Sequence, residues 1–239
     1  MLSLAFETSG PLGSAALGRG GDLLGEVAVR TLLARSEALL EAAEGLFSMA
    51  GCSAGDVERI VVGSGPGSFT GVRIAASMAK GWCHSTGATL CSVSSLRAVG
   101  AQAGAGKAGP AVCAMFDARR GDVFASAWPD GSWGVPLFEN LAGPVESVLN
   151  RIAARGGGAR PGLAGWCFAG SGALQARSLI AAGGGTVLGP VSADPRASTL
   201  LWIAHKDPDR GVADPGSWTP EYGRESGAVR EAERAESLG

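Results

Sequence analysis

Short apolar runs separated by glycine-rich turns recur along this chain in one order, used twice, and that duplication constrains the fold more than any single motif. Residues 2–9 and 14–19 alternate around Gly10-Pro11-Leu12-Gly13, and Gly20-Gly21-Asp22 leads into 23–30, the pattern of a three-stranded meander. Leu32, Leu39, Ala43, Leu46 and Ala50, with Leu33, Leu40 and Phe47 beside them, predict an amphipathic helix that Gly51 ends. A β-branched run over 59–65, a glycine-rich loop and a helical pattern over 70–85 complete a βββαβα unit, after which 89–93 reads as a strand and 94–103 as a helix capped by Ser94. Beyond the run 104–110 the order returns: strands at 111–118, 121–128 and 133–139, a helix at 144–155, a strand at 166–170 and a helix at 173–182. A duplicated unit of alternating elements predicts an α/β protein of two similar lobes. The first lobe is expected over 1–105, completed by a last helix near 196–206. The second is expected over 106–192, and the tail 207–239, rich in Pro, Gly and charge, is expected to be partly disordered.

Composition narrows the function classes. With 46% hydrophobic residues both lobes can hold real cores, and the 39 Gly and 12 Pro fall between apolar runs, as turn residues do. A net charge of −2 gives no general reason to hold a polyanion tightly, since phosphate affinity comes from clustered Lys and Arg. Five cysteines without a C-x-x-C pair suggest reduced core thiols rather than a disulfide framework or zinc knuckle. The opening strand carries Glu7 and then Gly10-Pro11, unlike a signal peptide, and no stretch reaches the roughly 18 apolar residues a spanning helix needs. The expected setting is the cytoplasm, away from membranes.

The most informative segment is Gly63-Ser64-Gly65-Pro66-Gly67-Ser68-Phe69-Thr70-Gly71-Val72-Arg73, a glycine-rich turn from strand to helix. Amides at a helix N-terminus, approached over glycines, can receive an anion; the same glycines can serve only to let the backbone pass close to a neighbour. Two nucleotide loops fail on inspection. A P-loop ends in Gly-Lys-Ser/Thr, but the nearest lysine is Lys80, well into the helix. A dinucleotide loop needs an acid about 20 residues on, but no Asp or Glu occurs from Arg59 to Phe116. That acid-free stretch holds Arg59, Arg73, Lys80, Arg97 and Lys107, which suits an anionic or acidic neighbour better than a metal, unless it reflects only a buried core.

Catalytic constellations are sparse. His84 and His205 stand far apart near predicted helix ends, where an imidazole more often meets the helix dipole than a metal. No Cys has an identifiable His partner, and no G-x-S-x-G elbow is present. Asp117 and Asp122 straddle a turn, where Asp and Gly are routine. The expectation is no catalytic residue and no metal site. Along the helix from Thr70, Gly71, Ala75 and Ala79 form a small-residue stripe that permits another helix to approach within about 8 Å, while Leu33, Leu40 and Phe47 supply bulky ridges on the preceding helix.

Leu4-Ala5-Phe6-Glu7-Thr8-Ser9, Arg35-Ser36-Glu37-Ala38-Leu39-Leu40, the loop from Gly65 to Arg73, Phe116-Asp117-Ala118-Arg119-Arg120-Gly121-Asp122-Val123-Phe124 and Pro220-Glu221-Tyr222-Gly223-Arg224 together resemble the TsaB (YeaZ) family of Gcp-like proteins in order and spacing. The resemblance implies the two-lobed actin/sugar-kinase/Hsp70-like (ASKHA) fold. It also implies a non-catalytic scaffold in the formation of N6-threonylcarbamoyladenosine beside the tRNA anticodon, with TsaD as heterodimer partner and catalyst, the ATPase TsaE recruited, and tRNA met only through the complex. In the family the first two helices of the first lobe contact TsaD, and a similar surface can close a homodimer in its absence. ATP and a metal ion would be used by the partners, with no cofactor held by this chain alone. The catalytic relative binds metal through a His-x-x-x-His helix that this sequence lacks. Family members commonly carry Asp where Glu7 stands and His where Arg35 stands, which weakens a nucleotide site on Glu7, Gly65, Gly67 and Ser68. The alternatives are a self-sufficient ATP-dependent transferase or phosphotransferase using that loop and Glu7, and a glycoprotease-like peptidase.

Overall fold

The computed structural model describes residues 1–30, 36–104, 110–129, 135–155 and 162–223. The first lobe opens with the meander β1 (Leu2–Glu7), β2 (Leu12–Arg19) and β3 (Asp22–Arg30), followed by α1 (Ser36–Ala50), β4 (Arg59–Gly63), α2 (Phe69–Thr86), β5 (Thr89–Val93) and α3 (Ser95–Gly104). The second lobe repeats the order with β6 (Ala111–Asp117), β7 (Asp122–Trp128), β8 (Phe138–Pro144), α4 (Val145–Arg155), β9 (Trp166–Ala169), the short helices α5 (Ser171–Gln175) and α6 (Arg177–Ala182), and β10 (Thr186–Val187). Then come α7 (Ala197–Lys206) and a two-residue strand, β11 (Gly211–Val212). In the first sheet the order is β3-β2-β1-β4-β5, with β11 added at the β5 edge, and in the second it is β8-β7-β6-β9-β10. Each sheet has an antiparallel meander on one side and parallel strands on the other. This is the duplicated ASKHA arrangement.

Each central strand is covered on both faces, so its residues divide with period two between two cores. Leu4 and Phe6 of β1 and Ile60 and Val62 of β4 point to α1 and α2, whereas Ala5 and Val61 point to α7. The second sheet splits the same way. Cys113, Met115, Trp166 and Phe168 face the α4–α6 side, and Ala114, Phe116 and Trp128 face α3. The two inner helices are exchanged between the lobes: α3 follows the first sheet in sequence but packs on the second, and α7 follows the second but packs on the first. A division near residue 105 therefore separates the sheets but not the helices. Gly100 lets α3 lie on the Trp128 ring, since a Cβ there would sit 2.5 Å from the indole.

Long-range acceptors cap α7. Its first amides donate to Gln102 Oε1 from Arg196 (3.0 Å), Ser14 Oγ from Ala197 (3.0 Å) and Glu26 Oε1 from Ser198 (3.1 Å), and the Arg196 guanidinium pairs with Glu26 Oε2 at 2.8 Å. Orphan N–H groups at the helix start are thus met by β2, β3 and α3 rather than by a neighbouring Ser or Asp.

Three elements differ from the sequence reading. The strand expected at 133–139 lies at Phe138–Pro144, residues 130–134 being outside those described, and the helix expected at 173–182 is split at Ala176 into α5 and α6. The tail is not detached as far as Gly223. Val212 and Trp218 pack on the first core, and the chain then runs to the glycine-rich loop; residues 224–239 lie outside the described residues.

Candidate functional site

The loop between β4 and α2 is the point where β1, β2, α3 and the C-terminal segment converge. Its glycines are there because this chain's own backbone comes close. A Cβ at Gly71 would stand 1.9 Å from Thr8 O, at Gly67 2.4 Å from Ser9 O, and at Gly65, whose φ is +92°, 2.5 Å from Glu221 O. The amides of Ser64, Gly65, Ser68 and Gly71 are engaged as well. Ser68 N–H donates to Ser9 O (2.7 Å), Gly65 N–H to Ser95 Oγ (3.2 Å) and Ser64 N–H to Val93 O (2.8 Å), while Ser68 Oγ accepts from Gly71 N–H (3.2 Å) as the cap of α2. Of the two readings of the glycines, close packing against the β1–β2 turn accounts for Gly67 and Gly71, and the C-terminal segment accounts for Gly65.

Glu7 is fully buried beneath the loop. Oε1 accepts from Ser9 N–H (2.6 Å) and Oε2 from the Ser95 hydroxyl (2.7 Å), and a side chain at Gly63 would overlap the carboxylate. Burial pushes the Glu7 carboxyl above the ordinary glutamate range, opposed by the hydrogen bonds from Ser9 and Ser95. The residue therefore ties the end of β1 to β4 and the start of α3. Glu7, Gly65, Gly67 and Ser68 do come together, as a packed and hydrogen-bonded junction.

The expected small-residue interface is corrected by the structure. Gly71, Ala75 and Ala79 are buried on the inner side of α2, Gly71 against Thr8 and the two alanines in the first-lobe core. Close approach is needed because α2 lies directly on the sheet. Phe47 is likewise a core residue, its ring 5.8 Å from that of Trp82. Leu40 is 39% exposed and stays on the surface, and Leu33 and Arg35 lie outside the described residues.

The outer side of α2 carries different residues. Phe69 is 55% exposed, and with Thr70, Arg73, Ile74, Ser77 and Met78 it lines a shallow groove. The Arg73 guanidinium lies 3.8 Å from the Phe69 ring centroid and 5.4 Å from that of Tyr222, and the two rings are 5.1 Å apart. Among the described residues no carboxylate pairs with Arg73. The sequence contained this signal, since Phe69 and Arg73 sit one turn apart within the motif already singled out.

Other candidates are structural. Asp117 Oδ1 accepts from Arg119 N–H (2.8 Å), and Arg119, Arg120 and Gly121 all have positive φ, so this is a tight hairpin turn. His84 and His205 lie in the last turns of α2 and α7. Among the described residues no group of three or more His, Cys, Asp and Glu is placed to hold a metal, and no helix is long and apolar enough to cross a membrane. Cys91 and Cys113 are buried, and burial pushes the Cys91 thiol up to about 11 and that of Cys113 further.

Residues 30–129 match the family model described as TsaD, tRNA N6-adenosine threonylcarbamoyltransferase. An uncharacterized protein of Mycobacterium tuberculosis is 32% identical over 145 residues, 60% of this chain and 66% of the relative. The tRNA threonylcarbamoyladenosine biosynthesis protein TsaB of Bacillus subtilis is 33% identical over 54% of this chain and 55% of its own. The chain thus spans between half and two thirds of the length of these curated relatives. A crystal structure from Pseudomonas aeruginosa, described as similar to the peptidase YeaZ, superposes with a TM-score of 0.75 at 26% identity over 93% of this chain and 99% of that one. Motifs, duplicated fold and relatives agree, and all of them make the chain similar to the TsaB (YeaZ) family of Gcp-like proteins.

Proposed function

We propose that this chain acts in the biosynthesis of tRNA threonylcarbamoyladenosine as a scaffold subunit, binding a TsaD-type catalytic subunit through the outer face of α2 and the neighbouring surface of α1. The observation that carries this reading is the exposed Phe69–Arg73 stack beside Ile74 and Met78, on the helix whose inner face and preceding loop are consumed by internal packing. An aromatic ring and an arginine on one helical turn are the residue types that dominate binding energy at protein interfaces. Chemistry, ATP and the metal ion belong to the partners, TsaE joins through the heterodimer, and a second copy of this chain is the competing occupant when TsaD is absent. With a net charge of −2 the chain meets tRNA through the complex. The loop geometry supports the scaffold over a self-sufficient ATP-dependent transferase, because Thr8, Ser9 and Glu221 take the approaches over its glycines.

The test is a titration of the chain and of Phe69→Ala against the same organism's TsaD-type subunit. Phe69 is exposed, so the variant should melt like the parent. Loss of a central aromatic anchor typically costs about 2 kcal/mol, and affinity should fall roughly thirtyfold. Unchanged affinity would place the interface elsewhere. Micromolar binding of ATP and Mg²⁺ by the isolated chain would favour the transferase instead.

A further inference from the structure

The C-terminal segment from Pro220 to Gly223 touches both lobes and the outer face of α2. On the first lobe, Glu221 N–H donates to Ser64 O at 2.7 Å, and Glu221 O fills the space over Gly65. On the second, the Glu221 carboxylate accepts from Asn140 Nδ2 of β8, and Gly223 passes against Phe124 of β7, where a Cβ would stand 2.6 Å from the ring. Asn140 is itself fixed between the lobes. Its amide N–H donates to Ser126 Oγ (2.9 Å), and its Oδ1 accepts from Ser94 Oγ at the start of α3 (3.3 Å). Between these two anchors lies Tyr222, whose hydroxyl is 3.4 Å from Arg73 Nε and whose ring packs on Phe69.

We propose that Tyr222 is a third docking residue on the α2 face, and that the strap 220–223 holds it there by spanning from Ser64 and Gly65 of one lobe to Asn140 of the other. This rests on the reading above that α2 receives a TsaD-type subunit. The partner surface that fits is an apolar patch bearing a carboxylate or carbonyl acceptor. Phe69 and Tyr222 present ring surface, and the stacked guanidinium between them lies in a part of the sequence without a single acid from Arg59 to Phe116. Because one tripeptide joins the docking face to the contact between lobes, the strength of docking depends on the second lobe, although the α2 groove is lined by first-lobe residues. A change in how the lobes meet at Asn140 moves Tyr222, and an occupied face in turn secures the strap.

Tyr222 is the only tyrosine of the chain, so protein grown with 3-fluorotyrosine gives one ¹⁹F resonance that reports on this ring alone. Asn140 has a φ of +51°, which glycine adopts freely, so Asn140→Gly removes the amide without backbone strain. In Asn140→Gly and Glu221→Ala the resonance should move toward its position in urea-unfolded protein while the melting curve stays close to that of the parent. Affinity for the TsaD-type subunit should fall about tenfold in Tyr222→Ala and by a smaller factor in Asn140→Gly. An unmoved resonance in both strap variants, with Phe69→Ala still losing the partner, overturns the strap alone. A Tyr222→Ala variant that binds as the parent does, while Phe69→Ala fails, overturns the docking role of Tyr222. If none of Phe69→Ala, Arg73→Ala and Tyr222→Ala loses the partner, the α2 docking face is refuted and this inference falls with it.

Discussion

Gly71 and Gly81 lie ten residues apart on α2, and replacing each by alanine should have opposite consequences. At Gly71 the new Cβ would stand 1.9 Å from Thr8 O, 3.1 Å from Thr8 C and 3.2 Å from Ser68 Cβ. The obstructing atom is backbone, held by the hydrogen bond from Thr8 Oγ1 to Gly71 O (2.6 Å), so no side-chain rotation relieves the clash. Overpacking costs about 1 to 3 kcal/mol, and a contact this short against backbone belongs at the upper end. At about 2 to 4 °C per kcal/mol for a chain of this size, Gly71→Ala should lower Tm by roughly 6 to 12 °C. At Gly81 nothing lies within 4 Å of the new Cβ, and the site is exposed within the helix. There alanine gains about 0.8 to 1.0 kcal/mol of helix propensity, and Tm should rise by roughly 2 to 4 °C. Far-UV circular dichroism melts of the two variants and the parent decide the matter. A Gly71→Ala variant that melts at or above the parent would refute the account of the loop as a close-packed junction.

Two further outcomes follow from the same junction and helix. The raised pKa of Glu7 means the folded chain holds that proton more tightly than the unfolded one, so its contribution is fully present below the ordinary glutamate range and lost as pH rises through the raised value. Glu7→Gln should therefore gain on the parent in Tm as pH rises above the ordinary glutamate range, and a difference that stays constant as pH rises would contradict it. Ala79→Leu should destabilise the isolated chain by about 1 to 3 kcal/mol, because Ala79 is buried under α2. A normal melt combined with lost partner binding would return the small-residue stripe to the interface.

Much of the scaffold was legible because it is written in local periodicity. The alternation of β1 and β4 and the Gly-Pro-Gly loop at a strand–helix junction fixed the order of elements, and Thr89–Val93 matches β5 to the residue. What periodicity cannot supply is the identity of the neighbour on each face. The i, i+4 run of Gly71, Ala75 and Ala79 requires something close by, but a partner helix and the chain's own sheet make the same demand. The sheet won because parallel strands β1, β4 and β5 need cover on both faces. The place of α7 on the first lobe was expected, whereas the packing of α3 on the second sheet was hidden for the same reason: α3 follows β5 directly, but Ala114, Phe116 and Trp128, on which it lies, come after residue 105. The strap was hidden still more deeply. Pro220-Glu221-Tyr222-Gly223 stands out as one of the resembling motifs but reads in composition as a charged, proline-containing tail, and it is the bonds from Glu221 N–H to Ser64 O and between Arg73 and Tyr222, 149 residues apart, that tie it to the first lobe.

A glycine-rich turn entering a helix is compatible with anion binding and with close packing, and the two differ in where the freed space goes. In an anion site the space above the glycines stays open and the loop amides point into it. Here Thr8 O, Ser9 O and Glu221 O occupy that space, and the amides of Ser64, Gly65 and Ser68 donate to Val93, Ser95 and Ser9. The loop thereby becomes rigid on its inner side, which suits the task assigned to its outer side. Phe69, the first residue of α2, follows Ser68, whose amide and hydroxyl are both engaged, so the aromatic ring is presented from a fixed backbone and loses little conformational entropy on binding. Arg73, one turn later, is held over that ring. On the proposed reading, then, the residues that resemble a nucleotide loop serve the docking face by immobilising its base, and the longer Glu7 carboxylate is kept as the buried tie among β1, β4 and α3 on which that immobility depends.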